Sequence, residues 1–386
     1  MNNQNQQSDT SQLTETTNKS PQKKRSMALV ILFVLSGTLL GLLGFNLLQK
    51  VSLAGQLFIA KQLISQGNCA QAVPMLHKII YADPKNSEAY LQRATCYGST
   101  PTNVFEERYR NLVNAIYDMD MVIALQPGVG DYYVDKELVF RELAEIVNDS
   151  ASKFAFYELA TQNCEKAIEL GVSPGYTYVF RHHARNLIES NHCEEGLQET
   201  QALINQTPPQ DPIMSTYNVY LTEAYICLGD FEKALESAQK IQCDDPVVTC
   251  RTGLIAEIYF QMDKKEEALE LFNAMINQDP AYGGWRYFLR AAIFYEKGQK
   301  ELALQDLAMG EAYTWTGNGV YWYVKSKMAF DEGDKENGLL YLQYAESTLD
   351  VQYSALRKQI QDELKDLGAK PLNLSPNLPP GITLIP

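Results

Sequence analysis

The chain has 386 residues, a formal net charge of −14, 45% hydrophobic residues and 21% charged residues. This composition is ordinary for a soluble fold with an ample core, and the near absence of strand-like alternation predicts an all-α protein. The excess of carboxylates repels nucleic acid, and no stripe of Lys or Arg interleaved with aromatic residues is visible, so we expect no nucleic-acid partner.

The first 48 residues differ from the rest of the chain. Residues 1–26 are polar and almost free of aliphatic side chains, which predicts a disordered tail. Residues 27–48 carry no charge, and a helix of that length, rising about 1.5 Å per residue, can cross a bilayer. Basic residues at 23–25 directly precede it. By the positive-inside rule, we predict a transmembrane helix over 27–48, a cytoplasmic N-terminus, and a single-pass cell-membrane protein whose remaining chain lies outside the cytoplasm.

A cleavable signal peptide would explain the same charge flank, with a small-residue cleavage site near Ser52–Ala54. The apolar run is longer than the usual signal-peptide core of about 7–15 residues, and the polar segment before it is also long. We therefore favour an uncleaved signal-anchor. A secreted soluble protein is the alternative.

A short pattern repeats along the remaining chain. In residues 229–246, GDFEKALESAQKIQCDDP, a small residue (Ala234) lies five positions after the opening glycine, an aliphatic residue (Leu235) six and Pro246 seventeen. The small–aliphatic pair recurs at the same spacing from seven further starts: Gly67, Arg110, Gln162, Asn191, Asp263, Gly298 and Gly333. Successive starts from 229 to 333 are 34 or 35 residues apart, so we predict a solenoid in which each unit is one helical hairpin.

These segments resemble the tetratricopeptide repeat, a helix–turn–helix unit with small residues where its helices cross and a proline after the second helix. First-helix pairs such as Ala224 with Tyr225 support the resemblance. It covers residues 49–350 and is irregular over 98–165, where an insertion near 99–108 interrupts one hairpin turn. The resemblance implies an α-solenoid that serves as a binding scaffold.

In tetratricopeptide proteins, the first helices line a concave groove whose floor selects the ligand. Carried onto this chain, the resemblance assigns to the groove a set of aromatic residues and two arginines: Phe260, Trp285, Phe288, Tyr295, Tyr323, Phe330, Arg181 and Arg185. Aromatic side chains bury large areas with few rotatable bonds, which suits a peptide with apolar side chains, and the arginines could hold an acidic group. The alternative for the aromatic residues is that they fill the contact between first and second helices.

The Lys and Asn pair with which some tetratricopeptide proteins clamp a terminal carboxylate has no counterpart here. The corresponding places hold Val219 with Glu223, and Gly253 with Glu257. Recognition of a peptide's C-terminal carboxylate is therefore not expected.

Seven cysteines are present, and repeats outside the cytoplasm would allow some of them to form disulfides. In stacked hairpins, the start of one second helix lies beside the end of the next first helix. Three candidate pairs follow from this placement or from nearness in sequence: Cys69 with Cys96, Cys193 with Cys227, and Cys243 with Cys250. A Cys164–Cys193 pair that leaves Cys227 free is the competing assignment, and buried free thiols are the alternative.

The C-terminal residues follow two patterns. Residues 351–367 are amphipathic and end near Gly368, which predicts over 351–368 the capping helix that an exposed solenoid end requires. Residues 369–386 are Pro-rich and apolar, so they cannot be helical and are either disordered or lie along the array.

The sequence lacks the common catalytic signatures, among them a Gly-x-Ser-x-Gly elbow, a phosphate-binding Gly-rich loop and His-Glu-x-x-His. His192 beside Cys193 matches no zinc-binding spacing, so we predict no metal, no cofactor and no enzymatic activity. The predicted function is a membrane-anchored scaffold that binds a protein or peptide partner in its groove outside the cytoplasm. The alternatives are a secreted form with the same role, and a regulatory or enzymatic protein with its site in residues 98–165.

Overall fold

The computed structural model describes residues 52–176, 178–242, 250–281, 283–313, 318–372 and 374–382. The predicted disordered tail over 1–26, the predicted transmembrane helix over 27–48, and Cys243 lie outside these ranges. Within them all regular structure is helical, in agreement with the predicted all-α class. None of the helices described is both long and apolar enough to cross a bilayer.

The helices are numbered in chain order. Their bounds are 52–65 (α1), Cys69–Ala82 (α2), Ser87–Ser99 (α3), Phe105–Leu125 (α4), Gly130–Ile146 (α5), Ser150–Leu170 (α6), Val179–Glu189 (α7), Cys193–Gln206 (α8), Ile213–Cys227 (α9), Phe231–Gln239 (α10), Cys250–Gln261 (α11), Lys265–Gln278 (α12), Trp285–Glu296 (α13), Lys300–Tyr313 (α14), Gly319–Asp331 (α15), Lys335–Thr348 (α16) and Ser354–Asp366 (α17). From α3 onwards, each odd-numbered helix up to α15 packs on the even-numbered helix that follows it. The described chain is therefore an array of helical hairpins followed by one further helix.

Most hairpins turn at the residue where the sequence pattern starts. These turn residues have a left-handed backbone: Gly67, Asn191, Gly229, Asp263, Gly298 and Gly333. A left-handed residue ends a helix within one step and lets the chain reverse, which glycine permits and which Asn and Asp tolerate better than other residues. The repeat spacing in the sequence is therefore the spacing of these turns, and the tetratricopeptide-like architecture is confirmed.

Two starts of the pattern do not mark turns. Arg110 lies inside α4 and Gln162 inside α6, and both helices have 21 residues, whereas α2, α8 and α12 have 14. Each long helix adds turns before the part that carries the repeat pattern. The irregularity expected over residues 98–165 thus takes the form of two extended second helices.

Small residues lie where the two helices of a hairpin cross. A side chain at Gly338 would place its Cβ 2.6 Å from Cδ1 of Phe330, and one at Gly310 would overlap Phe288 in the same way. At the position equivalent to Gly338 in the two preceding hairpins, Ala268 and Ala303 have no exposed surface. Close approach of the helices therefore depends on side chains no larger than a methyl group at these crossings.

Each of two disulfides joins the end of a first helix to the start of the second helix in the preceding hairpin. Cys69 is bonded to Cys96 with a Cα–Cα distance of 5.3 Å, and Cys193 to Cys227 with a Cα–Cα distance of 6.1 Å. Cys164 is a buried free thiol. The first two predicted pairs are therefore present, and the competing Cys164–Cys193 assignment is wrong. The third pair cannot be compared, because Cys243 lies outside the described residues.

Candidate functional site

First helices of neighbouring hairpins pack on one another. Helix α7 packs on α9, α9 on α11, and α13 on α15. We call the surface of α7, α9, α11, α13 and α15 that faces away from the second helices the inner face. It is the surface that the resemblance identifies as the groove.

The chain's own C-terminal part, which we call the C-terminal segment (residues 349–382, with Asn373 outside the description), crosses this inner face. The Ser354 hydroxyl donates a 2.7 Å hydrogen bond to the carbonyl of Ile226, at the end of α9. The Gln261 side chain in α11 accepts a 2.9 Å hydrogen bond from the backbone N–H of Ala355 and donates to the carbonyl of Gln352. A stretch of chain that follows the last hairpin therefore reaches two hairpins that lie far before it in sequence.

Helix α17 then runs back along the last hairpin. The amide of Gln359 donates a 2.7 Å hydrogen bond to the hydroxyl of Tyr323, and Glu363 forms a 2.5 Å ion pair with Lys327. On the adjacent stripe of α17, the apolar residues Leu356, Ile360 and Leu364 are buried in the same core cluster as α15 and α16. The predicted capping helix thus begins at Ser354 and covers the last hairpin, but its N-terminal end also extends over α9 and α11.

Helix α6 also contacts the start of the C-terminal segment. The Ser150 hydroxyl donates a 2.7 Å hydrogen bond to the carbonyl of Leu349, and Lys153 forms an ion pair with Asp350. The guanidinium of Arg357 lies 5.8 Å from the ring centroid of Phe154. The segment between α16 and α17 is therefore enclosed between α6 and the inner face.

The Pro-rich tail lies along the array, which is the second of its two predicted states. The Tyr117 hydroxyl donates a 2.7 Å hydrogen bond to the carbonyl of Pro380, and the backbone N–H of Asn377 donates to the Ser152 hydroxyl at 2.9 Å. Leu378 and Ile382 pack against the core cluster formed by α4, α5 and α6. The C-terminal segment thus contacts both halves of the array.

Four of the predicted groove aromatics lie in contacts between helices. Phe288 and Tyr323 are only 2% and 3% exposed, so neither lines an open groove in this structure, and the Tyr323 hydroxyl is bonded to Gln359 of α17. Phe330 packs on the crossing at Gly338, and the half-buried Trp285 lies edge-on to Phe272 of the preceding hairpin. These four aromatics fill contacts between helices, because an array with small residues at its crossings needs large side chains beside them.

The other predicted groove residues remain partly accessible. Phe260 and Tyr295 are half-buried, and the Tyr295 hydroxyl bonds to Asp331. Arg181 lies 5.7 Å from the ring centroid of Tyr178 and lines a cavity of about 500 Å³ with Tyr217 and other residues of α7 to α9. These positions remain available to a partner.

Arg185 is the exception, because it already faces acidic groups of its own chain. Its guanidinium is 3.6 Å from Glu189, one turn further along α7. Burial acts to lower the pKa of Arg185, but the charges of Glu223 and Glu189 more than compensate, so that the pKa is raised. The acidic group that Arg185 was predicted to hold is thus provided by the protein itself.

Two glutamates stand where some tetratricopeptide proteins have the Lys and Asn clamp, on the helices α9 and α11 that the C-terminal segment contacts. Glu223 and Glu257 are 34 residues apart and lie six residues before the turn in α9 and α11, respectively. Glu257 is 6% exposed, and Oε2 of Glu223 has neither accessible surface nor a hydrogen-bond partner among the described residues. We call these two residues the carboxylate pair.

The protonation of this pair is shifted by its surroundings. Burial raises the pKa of Glu257 to about 8, and the charges of Glu223 and Asp350 add to the effect. Burial likewise raises the pKa of Glu223 to about 7, although Arg185 opposes the shift. Near neutral pH, both groups therefore hold protons for part of the time. The sequence signal for this pair is the 34-residue spacing of its two glutamates. Sequence alone does not show that the C-terminal segment covers them.

A separate cavity of about 450 Å³ lies in the irregular region, between α3, α4 and α5. It is lined mainly by apolar residues such as Leu91, Met119 and Val139, and Asp135 reaches it. Burial raises the pKa of Asp135 to about 6, with an opposing hydrogen bond from Tyr176. No three carboxylate, imidazole or thiol side chains in the described part of the chain are placed to share a metal ion.

Solved structures similar to this chain include tetratricopeptide repeat proteins. A tetratricopeptide repeat protein from Parabacteroides merdae is 15% identical over 81% of this chain and 98% of its own, with a TM-score of 0.43. Human IFIT1, in a dimer with PPP-AAAA, is 15% identical over 80% of this chain and 72% of its own, with a TM-score of 0.47. YrrB, described as a TPR protein with an unusual peptide-binding site, is 16% identical over 62% of this chain and 92% of its own, with a TM-score of 0.26. No protein-family model and no curated protein matches the chain.

Proposed function

We propose that this protein is a binding scaffold whose inner face receives a peptide segment of a protein partner. The observation that carries the proposal is that the inner face already holds a peptide, the chain's own C-terminal segment. Gln261 bonds to two backbone groups of that segment, at Gln352 and Ala355. A surface that recognises backbone groups and also buries the side chains of a helix has the two features by which helical hairpin arrays and grooves bind peptides.

We further propose that the scaffold is anchored in a membrane by residues 27–48, with its N-terminus in the cytoplasm and its repeats outside. Support comes from the uncharged segment with basic residues before it, and from the two disulfides, which persist in oxidising compartments and are rare in the cytosol. A secreted form after cleavage near Ser52–Ala54 would have the same disulfides. N-terminal sequencing of the mature protein separates the two forms, since a start near Gly55 would contradict the anchor.

The experiment that tests the scaffold function uses the C-terminal segment as the probe. In the full-length chain, Ser354→Ala with Glu363→Ala removes one contact to α9 and one to α15 while leaving the inner face unchanged; we call this the loosened variant. A fluorescein-labelled peptide of residues 349–367 is titrated against it and followed by fluorescence polarisation. We expect at least about tenfold tighter binding than to the unaltered protein, because apparent affinity follows the fraction of molecules whose site is open.

The matched control is Glu301→Ala with Glu336→Ala, which removes two exposed carboxylates from the second helices α14 and α16. It should bind the peptide as the unaltered protein does. Absence of binding to the loosened variant would contradict the proposal that the inner face receives a peptide.

Asp135 provides the observation that favours the enzymatic alternative. A carboxyl whose pKa is about 6 can exchange protons near neutral pH, and this one reaches a cavity in the region where that alternative places its site. Under the scaffold function, Asp135→Asn leaves peptide binding to the loosened variant unchanged. If Asp135→Asn changed the rate at which the protein converts a captured ligand, while binding of that ligand stayed the same, the result would instead support catalysis.

A further inference from the structure

The carboxylate pair has no cation of its own. Arg185 and Arg141 both act on Glu223, but Arg185 lies 3.6 Å from Glu189 and Arg141 lies 3.6 Å from Glu137. Glu257 has no ion pair or hydrogen bond among the described residues, although it is 6% exposed. An ionisable group buried without a partner destabilises the fold, and such groups persist mainly where function requires them.

The C-terminal segment does not supply the missing charge. The acidic residue nearest the pair in that segment is Asp350, whose charge raises the pKa of Glu257. Its first basic residue, Arg357, is directed to Glu346 and to the carbonyl of Leu349. The segment therefore covers the pair with a like charge, and its electrostatic fit to this part of the inner face is poor.

We propose that the carboxylate pair is a recognition site for a basic side chain, Arg or Lys, of the partner peptide. This inference rests on the proposed function, since the basic side chain enters when the partner replaces the C-terminal segment. A guanidinium or ammonium would pair with both carboxylates and satisfy Oε2 of Glu223, which has no partner in the structure described. A metal ion is a poorer match, because no third ligand is placed beside the pair among the described residues.

The position of the two residues supports recognition of a peptide rather than an isolated ion. Glu223 and Glu257 occupy the same place in adjacent first helices, on the surface that the C-terminal segment crosses. About one helical turn beyond them, the carbonyl of Ile226 in α9 holds the Ser354 side chain, and the Gln261 side chain in α11 holds the backbone N–H of Ala355. A partner held in the same way would present its side chains to the pair at a fixed depth.

The test compares three labelled peptides of residues 349–367 on the loosened variant: the native sequence, Asp350→Asn and Asp350→Arg. Both substitutions remove the ion pair with Lys153, so their difference reports the added positive charge, and because Lys153 repels that charge it cannot itself cause a preference for Arg. We expect the Arg peptide to bind at least about tenfold tighter than the Asn peptide, as charge-assisted hydrogen bonds to buried carboxylates provide.

Adding Glu223→Gln and Glu257→Gln to the loosened variant should reduce this preference to about twofold or less, because the amides keep the shape but lose the charge. The matched control adds Glu232→Gln and Glu236→Gln, two exposed residues of α10, and should retain the full preference. Native-peptide binding without preference for Arg would overturn this inference alone. Absence of binding by every peptide would overturn the proposed function and this inference with it.

A second measurement does not depend on peptides. In the full-length chain, Asp350→Arg should raise the thermal midpoint relative to Asp350→Asn, and the rise should disappear when Glu223→Gln and Glu257→Gln are present. Equal midpoints for the Arg and Asn variants would overturn the inference even if the peptides bind.

Discussion

The side-chain carbonyl of Gln261 accepts a hydrogen bond from the backbone N–H of Ala355, 94 residues later in the chain, at 2.9 Å. Ala355 lies in the first turn of α17, where backbone N–H groups have no partner within the helix. The N-cap residue of α17, Tyr353, provides no side-chain hydrogen bond to that turn. A residue of α11 therefore serves as the cap of a helix that follows the last hairpin, two hairpins further along the chain.

Removal of this cap should loosen the C-terminal segment. We expect Gln261→Ala to reduce the free energy of unfolding by about 1–2 kcal/mol, as the loss of an N-cap does, and to increase hydrogen exchange at the start of α17. Gln239→Ala, at the exposed end of α10, is the matched control. Unchanged exchange in residues 353–358 would show that α17 does not need the contact.

Stability should depend on pH through the carboxylate pair. The pKa values of Glu223 and Glu257 are raised in the folded state, to about 7 and about 8, so the folded protein binds more protons than the unfolded chain above their ordinary range. Their contribution is complete below the unfolded pKa of about 4.5 and is lost as the pH rises towards 8. The charges of Arg185, Glu189 and Arg141 act on Glu223, and the charge of Asp350 acts on Glu257.

Thermal melts in buffers between pH 6 and pH 8.5 measure this dependence. The midpoint of the unaltered protein should fall across that interval, and Glu223→Gln with Glu257→Gln should flatten the profile. A parallel fall in the double variant would assign the dependence to other groups.

The two disulfides should each contribute to stability. They close loops of 27 and 34 residues, for which the loss of chain entropy in the unfolded state corresponds to about 3.5–4 kcal/mol each. Cys69→Ser with Cys96→Ser should therefore lower the denaturant midpoint, and so should Cys193→Ser with Cys227→Ser. A reductant should have no further effect on the variant that lacks all four cysteines; a persistent effect would reveal a disulfide elsewhere.

Cys164 should be unreactive in the folded protein. It has no exposed surface, and burial raises the pKa of its thiol far above the ordinary value. We expect a maleimide to label Cys164 only after denaturation, because the thiolate is the reactive form and the reagent cannot reach the sulfur. Mass spectrometry of tryptic peptides locates the label. Rapid labelling of Cys164 under native conditions would contradict the packing of α6 against α7.

Helix crossings should not tolerate a larger side chain. We expect Gly338→Ala to lower the free energy of unfolding by about 1–3 kcal/mol, since its Cβ would lie 2.6 Å from the Phe330 ring. Gly98→Ala is the control, because no atom lies within 4 Å of that Cβ and alanine is the better helix former. Equal effects of the two substitutions would mean that the crossing at Gly338 tolerates a wider spacing.

Sequence spacing predicted the hairpins because each turn has a local cause. A left-handed residue such as Gly229 or Asp263 ends one helix, and the small residue five positions later permits close packing of the next. The same geometry predicted the Cys69–Cys96 and Cys193–Cys227 pairs, since neighbouring hairpins have a fixed relation. These features depend on residues within about one repeat of each other.

The groove residues were harder to predict because helical periodicity does not say which partner covers a face. Phe288 and Tyr323 have the spacing of an inner stripe, and only their neighbours in three dimensions show that they are core residues. The cover over Glu223 and Glu257 comes from residues about 100 positions away, and no local pattern encodes that contact. The amphipathic pattern at 351–367 predicted a helix but not the distant helices that it contacts.

A solenoid whose units touch only their neighbours can lose its end units one at a time. In this array the Tyr109 hydroxyl bonds to the carbonyl of Asn377, 268 residues later, and the Ser150 hydroxyl bonds to that of Leu349, 199 residues later. Helices α4 and α6 are thus bonded to the C-terminal segment. Fraying of that segment must break contacts with α4 and α6, so this part of the array gains a cooperativity that its repeats alone would not provide.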